Sequence, residues 1–283
     1  MGEAIKMPAK HEISIESSCT QAAAKARRVV VGKRRHADRR GIQREYSVRR
    51  ARHPKEKTDA FRLRFLVFNL EMHEGLESAY RTGYDTDEFD EVCDHLIVEH
   101  KPTGRVIATY RMQTGTTAAA NIGYYSEREF NFSTFEPFRD SLVEVGRAAI
   151  LKEHRTFEVL NLLWKGIGAY ALERGGRYLV GCSSFASQDS AEGKQLFQQL
   201  EPFLAPPELR TTPQRGFGLC ANSDDTNVPA VTAPRLLRAY LNLGARICGE
   251  PALDREFKTI DFLTLLDLET LSPVARARFL EAA

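Results

Sequence analysis

An apolar run that carries one acid and one base constrains this chain more than any other stretch. Leu142-Val143-Glu144-Val145-Gly146-Arg147-Ala148-Ala149-Ile150 has the length of a buried strand, with Val143, Val145 and Ala149 among its apolar members. Glu144 and Arg147 interrupt it three residues apart. A charge inside such a run is costly to bury unless it is paired or used. Two readings stand: a structural ion pair at a sheet edge, or a reactive acid with a binding base. The following residues say where chemistry would collect. His154-Arg155 lies in a loop, Phe157 to Arg174 is amphipathic with helical spacing, and Tyr178 to Cys182 is a second apolar strand. In a strand–loop–helix–strand unit the loop after the first strand is the usual seat of a site.

The 283 residues suffice for one sizeable core plus appendages. No apolar run approaches the ~18 residues that span a bilayer, and Met1 to Ser18 lacks the apolar core of a signal peptide, so the expected setting is the cytoplasm. Cys19, Cys93, Cys182, Cys220 and Cys248 form no CxxC pair, which fits reduced thiols and no zinc site. The charge is uneven. Of the chain's 40 Lys and Arg and 38 Asp and Glu, residues 1–57 hold 16 and 6, which leaves 24 and 32 for the rest. The expectation is a basic, partly disordered arm over 1–57 and a mildly acidic globular domain over 58–283. Such an arm suits acidic partners: a protein, anionic lipid or nucleic acid. A short helix around Ala22 to Arg28 is compatible with its sequence.

Along the body, Asp59 is placed to cap a helix in which Phe61, Phe65, Phe68, Leu63, Leu66 and Leu70 recur at helical spacing. Arg62 and Arg64 fall within it, and at least one of them is expected to be solvated. Thr82 to Asp90 is acidic and reads first as a polar loop. Cys93 to Glu99 and Arg105 to Thr114 form a hairpin about Lys101-Pro102-Thr103-Gly104. Thr116 to Asn121 reads as a small-residue loop, and Glu127 to Pro137 as an irregular aromatic stretch suited to a lid or an apolar wall. Further helices are expected over Asp189 to Leu200, Pro234 to Leu243 and Pro273 to Leu280. Ala245 to Cys248 and Phe257 to Leu266 read as strands. A GxSxG elbow, Walker loop, GxGxxG fingerprint and HExxH pair are all missing. The strand from Leu142 also runs into Lys152-Glu153-His154-Arg155 without the glycine-rich turn that would cradle a coenzyme A pyrophosphate.

Leu63-Arg64-Phe65-Leu66-Val67-Phe68, Asp87-Glu88-Phe89-Asp90, Tyr110-Arg111 and Glu144-Val145-Gly146-Arg147 follow one another at suggestive spacing. This order resembles the acyl-homoserine-lactone autoinducer synthases. It is closer to their relatives, the ornithine-lipid N-acyltransferases and long-chain N-acyl amino acid synthases. The tail adds Tyr240-Leu241-Asn242-Leu243-Gly244-Ala245, Gly249-Glu250-Pro251-Ala252 and Asp261-Phe262. The likeness covers Phe61 to Cys182 and leaves the arm outside. One departure argues against a homoserine-lactone product: the lone Trp is Trp164, in the central helix, where the autoinducer synthases carry one after their first helix.

The resemblance implies an α/β (α+β) GNAT-like fold, a mixed, mostly antiparallel sheet with helices on both faces. It implies an N-acyltransferase that moves a long-chain acyl group from the phosphopantetheine thioester of acyl carrier protein to the amine of an amino acid, ornithine-like or other, with no bound cofactor and no metal. A protonated amine needs a base, and Glu144 takes that role, with Arg147 to orient it or hold a substrate carboxylate. Arg64, Asp87, Asp90 and Arg111 form a charged network that positions the acceptor. A backbone N–H near Ala148 would face the oxyanion. Phe68, Phe130, Phe132 and Phe135 would wall the acyl chain, with core packing as the alternative for the last three. The basic arm would meet the carrier or an anionic membrane surface. Two other readings stay open: an autoinducer-type synthase that uses S-adenosylmethionine, and a nucleic-acid-binding protein that acts through the arm. The arm's single aromatic, Tyr46, disfavours the latter.

Overall fold

Apolar alternation on either side of a Pro–Gly turn produces the expected hairpin: β2 (Asp94–His100) and β3 (Arg105–Thr114) are antiparallel, and Gly104 turns the chain with φ of 64°. The computed structural model describes residues 45–220 and 230–280. β1 (Tyr46–Arg50) lies on the outer side of β2, with Tyr46 opposite His100. This corrects the arm's boundary, because residues 46–57 belong to the folded body. Charge had hidden the strand. Arg49 is neutralised by Glu56 at 2.8 Å and Glu99 at 3.1 Å, and Arg50 by Glu173 at 2.9 Å. A charged strand is tolerated at a sheet edge, where it also discourages pairing with another chain. The rest of the arm, including the short helix around Ala22, lies outside the described residues.

Helix α1 (Pro54–Arg64) begins ahead of the expected cap. His53 is its N-cap, Pro54 takes the first helical position and Glu56 Oε2 accepts from the His53 N–H at 3.2 Å. Asp59 instead ion-pairs with Lys55 at 2.6 Å on the surface. The chain continues as a π-helical stretch over Phe65–Met72. Arg62 is exposed, whereas Arg64 is buried.

β4 (Leu142–Ile150), α2 (Phe157–Glu173) and β5 (Tyr178–Phe185) reproduce the strand–loop–helix–strand unit, with Thr156 capping α2. Then come α3 (Ser190–Leu200, capped by Asp189), α4 (Arg235–Leu243, ended by Gly244 at φ 103°), β6 (Arg246–Ile247), β7 (Ala252–Asp254), β8 (Thr259–Asp267) and α5 (Pro273–Phe279). The sheet order is β1-β2-β3-β4-β5-β8-β6, with β7 also on β8. β4 and β5 are parallel and the other pairs antiparallel, which is the mixed, mostly antiparallel sheet expected. One expectation fails locally: Thr116 to Asn121 reads as a loop in the sequence, whereas Gly115–Ala120 fold as a short helix capped by Thr114. β7, which the sequence does not suggest, is too short to show as a period.

Helices cover both faces. Neighbouring residues of a strand point to opposite sides. On β2, the His95 ring meets Phe61 of α1 at 5.2 Å, whereas Leu96 packs so closely on Gly166 of α2 that a Cβ there would fall 2.7 Å from its side chain. Among the described residues no helix is long and apolar enough to cross a membrane.

The centre of the sheet holds a discontinuity. β4 and β5 pair from Leu142 and Tyr178 as far as Glu144 and Val180. The next residues, Val145 and Gly181, still touch while bordering two cavities, and the strands part only beyond them, where 146–148 and 182–184 line the larger one. Gly181 sets this approach, since a Cβ would lie 2.1 Å from the Val145 carbonyl oxygen. Gly181→Ala must therefore push the strands apart, and overpacking of this kind costs about 1–3 kcal/mol. Denaturant unfolding of the variant should show that loss, and an unchanged midpoint would contradict the close approach.

Candidate active site

Glu144 is buried, yet it is held by neutral donors rather than by a cation. Its Oε2 accepts from Gln113 Nε2 at 2.7 Å and the Tyr125 N–H at 2.9 Å, and its Oε1 accepts from the Ser126 N–H at 2.8 Å. Gln113 sits directly across the β3–β4 ladder from it. A carboxylate offers about four lone-pair positions, so these three bonds fix its orientation and leave one for a proton.

Immediately beyond, β4 bulges. The register passes from Ala149 opposite Thr109 to Gly146 opposite Arg111, which sets Arg147 and Ala148 against Tyr110 alone. Arg147 adopts the left-handed region at φ 51°. For a non-glycine residue this costs on the order of 1–3 kcal/mol and persists where surrounding contacts enforce it. Those contacts are visible. The guanidinium lies between the Phe257 ring at 4.0 Å and the Tyr125 ring at 5.0 Å, and its Nη2 donates to Asp87 Oδ2 at 2.8 Å.

Asp87 is one end of a buried chain of alternating charge. Its Oδ1 accepts from Arg111 Nη1, which also reaches Asp90 Oδ1 at 3.2 Å. Asp90 takes a two-pronged bond from Arg64, at 2.8 Å to Oδ1 and 2.6 Å to Oδ2. Arg64 also donates to the Asp85 carbonyl, and its Nε lies 2.8 Å from Asp85 Oδ1, an ion pair without hydrogen-bond geometry. Burial by itself would raise the Asp90 carboxyl, but Arg64 and Arg111 outweigh it and hold it well below the usual carboxylate range. In Asp87 burial is likewise outweighed, by Arg111 and Arg147. His95, beside Asp90, is lowered to about 4 chiefly by burial and is neutral at pH 7. Three arginines thus balance three aspartates, and the chain of contacts ends on the bulge.

Glu144, Arg147 and Arg111 line a cavity of about 790 Å³ with Phe68, Val67 and Tyr240 on apolar parts of its wall. A second, almost wholly apolar cavity of about 70 Å³ adjoins it at Val145, Gly181 and Tyr240 and extends among Trp164, Ile167 and Leu266.

A GNAT acetyltransferase family model matches residues 63–165, which include the network, Glu144 and the bulge. A protein of Agrobacterium fabrum (strain C58 / ATCC 33970) named L-ornithine N(alpha)-acyltransferase is 31% identical over 242 residues, covering 79% of this chain and 81% of the relative. The chain belongs to this acyltransferase family. A second member, from Rhodobacter capsulatus, is 29% identical over 80% of this chain and 92% of its own. Among solved structures, the N-acyl amino acid synthase FeeM from uncultured soil microbes aligns at TM-score 0.49 with 13% identity, covering 82% of this chain and 97% of that one. The acyl-homoserine-lactone synthase LasI aligns at 0.46 with 12% identity, covering 83% and 93%.

In this acyltransferase Arg64, Asp87, Asp90, Arg111 and Arg147 are joined into one network, and Glu144 stands next to it. Glu144 and Arg147 do not pair with each other: the sequence offered Arg147 as an orienter of Glu144, and Gln113 with two backbone N–H groups does that instead. Thr82 to Asp90 is no solvated loop, since Asp85 and Asp90 are buried. The aromatic wall needs correction. Phe68 lines the large cavity, but Phe130, Phe132 and Phe135 line neither. They are buried together with Tyr124, Leu142 and Val180, because the turns after Tyr124 fold onto the sheet, where the Phe132 and Phe135 rings meet edge to face. Sequence reasoning missed Asp85, Gln113 and the Tyr125–Ser126 backbone. Gln113 carried a signal: it lies two residues past Arg111 on one strand and so shares its side.

Proposed function

We propose that the protein transfers a long-chain acyl group from the phosphopantetheine thioester of acyl carrier protein to the α-amine of L-ornithine, with Glu144 as general base. The carrying observation is the single open acceptor position of a rigidly held Glu144 on the wall of a large cavity. The family relatives' names supply the acceptor. The amine nitrogen attacks the thioester carbon, Glu144 takes the ammonium proton, and the tetrahedral oxyanion draws on backbone N–H at the Arg147–Ala148 bulge. Collapse breaks the C–S bond, and the leaving thiolate of the carrier takes up a proton. Arg147 offers its remaining donors to the amino acid carboxylate. The acyl chain passes through the β4–β5 gap into the apolar cavity beside Trp164 and Leu266, which replaces the aromatic wall expected from the sequence.

A carrier-borne donor suits the turn after β4. There Lys152–His154 form a 3-10 turn and Thr156 already caps α2, so that helix start is not an open phosphate cradle. The basic segment outside the described residues, 1–44, holds 11 Lys and Arg against 4 Asp and Glu and is suited to an acidic carrier or an anionic membrane surface.

The test incubates the full chain and L-ornithine with either long-chain acyl-acyl carrier protein or the matching acyl-coenzyme A and follows the products by mass spectrometry. Nα-acylornithine and free carrier thiol are expected. No amide from either acyl carrier protein or acyl-coenzyme A would overturn the reading, and an amide from acyl-coenzyme A alone would overturn the donor assignment. A chain lacking residues 1–44 should lose rate several-fold at low salt and converge with the full chain at high salt. Equal rates at low salt would remove the segment from donor binding.

A further inference from the structure

Part of the cavity wall carries negative charge that the catalytic scheme does not use. Asp254 and Asp261, both buried, line it together with Glu74 and Cys182. Glu129, 2% exposed, stands directly behind: oxygen atoms of Glu129 and Asp261 and the Cys182 sulfur all lie within 4.8 Å of one another. Apart from one another, their partners are neutral. Asp254 accepts from the N–H groups of Glu256 at 2.7 Å and Phe257 at 3.0 Å, Asp261 accepts from Thr259 Oγ1 at 3.0 Å and faces Glu129 within hydrogen-bond reach, and the Cys182 thiol lies 3.4 Å from Ser126 Oγ, with Glu129 Oε2 further off at 3.9 Å. Among the described residues no lysine or arginine is ion-paired with any of the four acids, and nearby Arg147 is already engaged by Asp87. Burial, and then the charge of the neighbouring acids, raises the Glu129 and Asp261 carboxyls above their ordinary range. Carboxylates gathered this way call for a cation or protons.

A second, independent feature of the same cavity points to the ligand. Arg147, with its side chain 8% exposed, has a buried Nε–H that finds no hydrogen-bond partner. An unused buried guanidinium donor suits a carboxylate. The cavity thus offers one site for an anion, one base for an amine, and an acidic wall beyond. L-Ornithine presents a carboxylate, a reacting α-amine and a second ammonium at the end of its side chain.

We propose that the Glu129–Asp254–Asp261 cluster is the recognition site for the distal ammonium of the acceptor, so that the enzyme selects dibasic amino acids by charge. The assignment rests on the acyltransferase reading above. A divalent metal on Glu129, Cys182 and Asp261 is the competing occupant. Metal content and amino-acid selectivity distinguish the two occupants in the experiment below.

The experiment measures kcat and KM for L-ornithine and for L-norvaline, which shares the carboxylate, α-amine and carbon chain but has no distal amine. It compares the natural enzyme with Asp261→Asn and Glu129→Gln. The natural enzyme should favour ornithine, and each variant should lower the ornithine-to-norvaline ratio of kcat/KM at least tenfold, mainly through the ornithine KM. Ornithine should also raise the melting temperature of the natural enzyme more than that of the variants, a readout that needs no turnover. Ornithine acylation with an unchanged ratio in both variants would overturn the assignment while leaving the acyltransferase reading intact. A stoichiometric metal present in the natural protein and lost from Asp261→Asn would overturn it too. If the natural enzyme acylates neither amino acid, the underlying reading fails first.

Discussion

Glu144→Gln is expected to lower kcat by about 10²–10⁴-fold, the span over which general bases contribute. The α-amine of a free amino acid, beside its own carboxylate, is more basic than a chain terminus, which titrates near 8, so it is overwhelmingly protonated at pH 7 and the reaction waits on a proton acceptor. The amide keeps the shape of the side chain. With its oxygen in the Oε2 position it still accepts from Gln113 and Tyr125, and it loses the bond from the Ser126 N–H. That loss should cost about 1–3 kcal/mol, visible as a modest fall in melting temperature of a protein that remains folded. The pH dependence separates a base from a mere positioner. As pH rises toward 9 the free amine becomes abundant in solution, and the variant's deficit should shrink. Near-normal turnover across the pH range would remove Glu144 from the chemistry. A deficit that stays constant with pH would leave it a positioning residue.

The elements around this site were legible because each repeats a short period. Leu142–Ile150 and Phe157–Glu173 show a strand and a helix within their own residues. The order of Arg64, Asp87, Asp90, Arg111 and Arg147 was legible through resemblance, although which acid meets which base was not. Arg147 meets Asp87 sixty residues away, across a bulge that no local pattern announces. The phenylalanines show the opposite limit. Phe130, Phe132 and Phe135 look the same as sequence whether they wall a tunnel or fill a core, and the direction of the turns decides it. Asp261 could have been noticed by the logic applied to Glu144, since it too is an acid within an apolar strand. Its partnership with Glu129 joins residues more than a hundred positions apart and is invisible to period and composition.

Arg64→Met is expected to be the most destabilising of the substitutions considered, at about 3–5 kcal/mol, because it strands buried acids rather than trimming a contact. Asp85 and Asp90 are almost fully buried; Asp85 would lose its ion-pair partner, and Asp90 would keep Arg111 at 3.2 Å and the Asp87 N–H at 3.0 Å. At roughly 2–4 °C per kcal/mol for a chain of this size, the melting temperature should fall by about 6–20 °C. The pH sign follows from the depressed Asp90 carboxyl. Its contribution in the natural protein is present above the unfolded value near 4 and is lost as pH falls through the lower folded value. In the variant the same carboxyl loses the guanidinium that held it down and protonates at higher pH, which relieves the stranded charge. The difference between the two proteins should therefore be largest near pH 7 and narrow toward pH 4. Urea unfolding at both pH values reads this directly. A cost below about 1 kcal/mol at pH 7 would mean that the aspartates find other partners or water, and that the network is not the rigid mount on which Arg147 and the bulge depend. A full cost together with a matching loss of kcat would tie the strained Arg147 to the far end of the chain of charges.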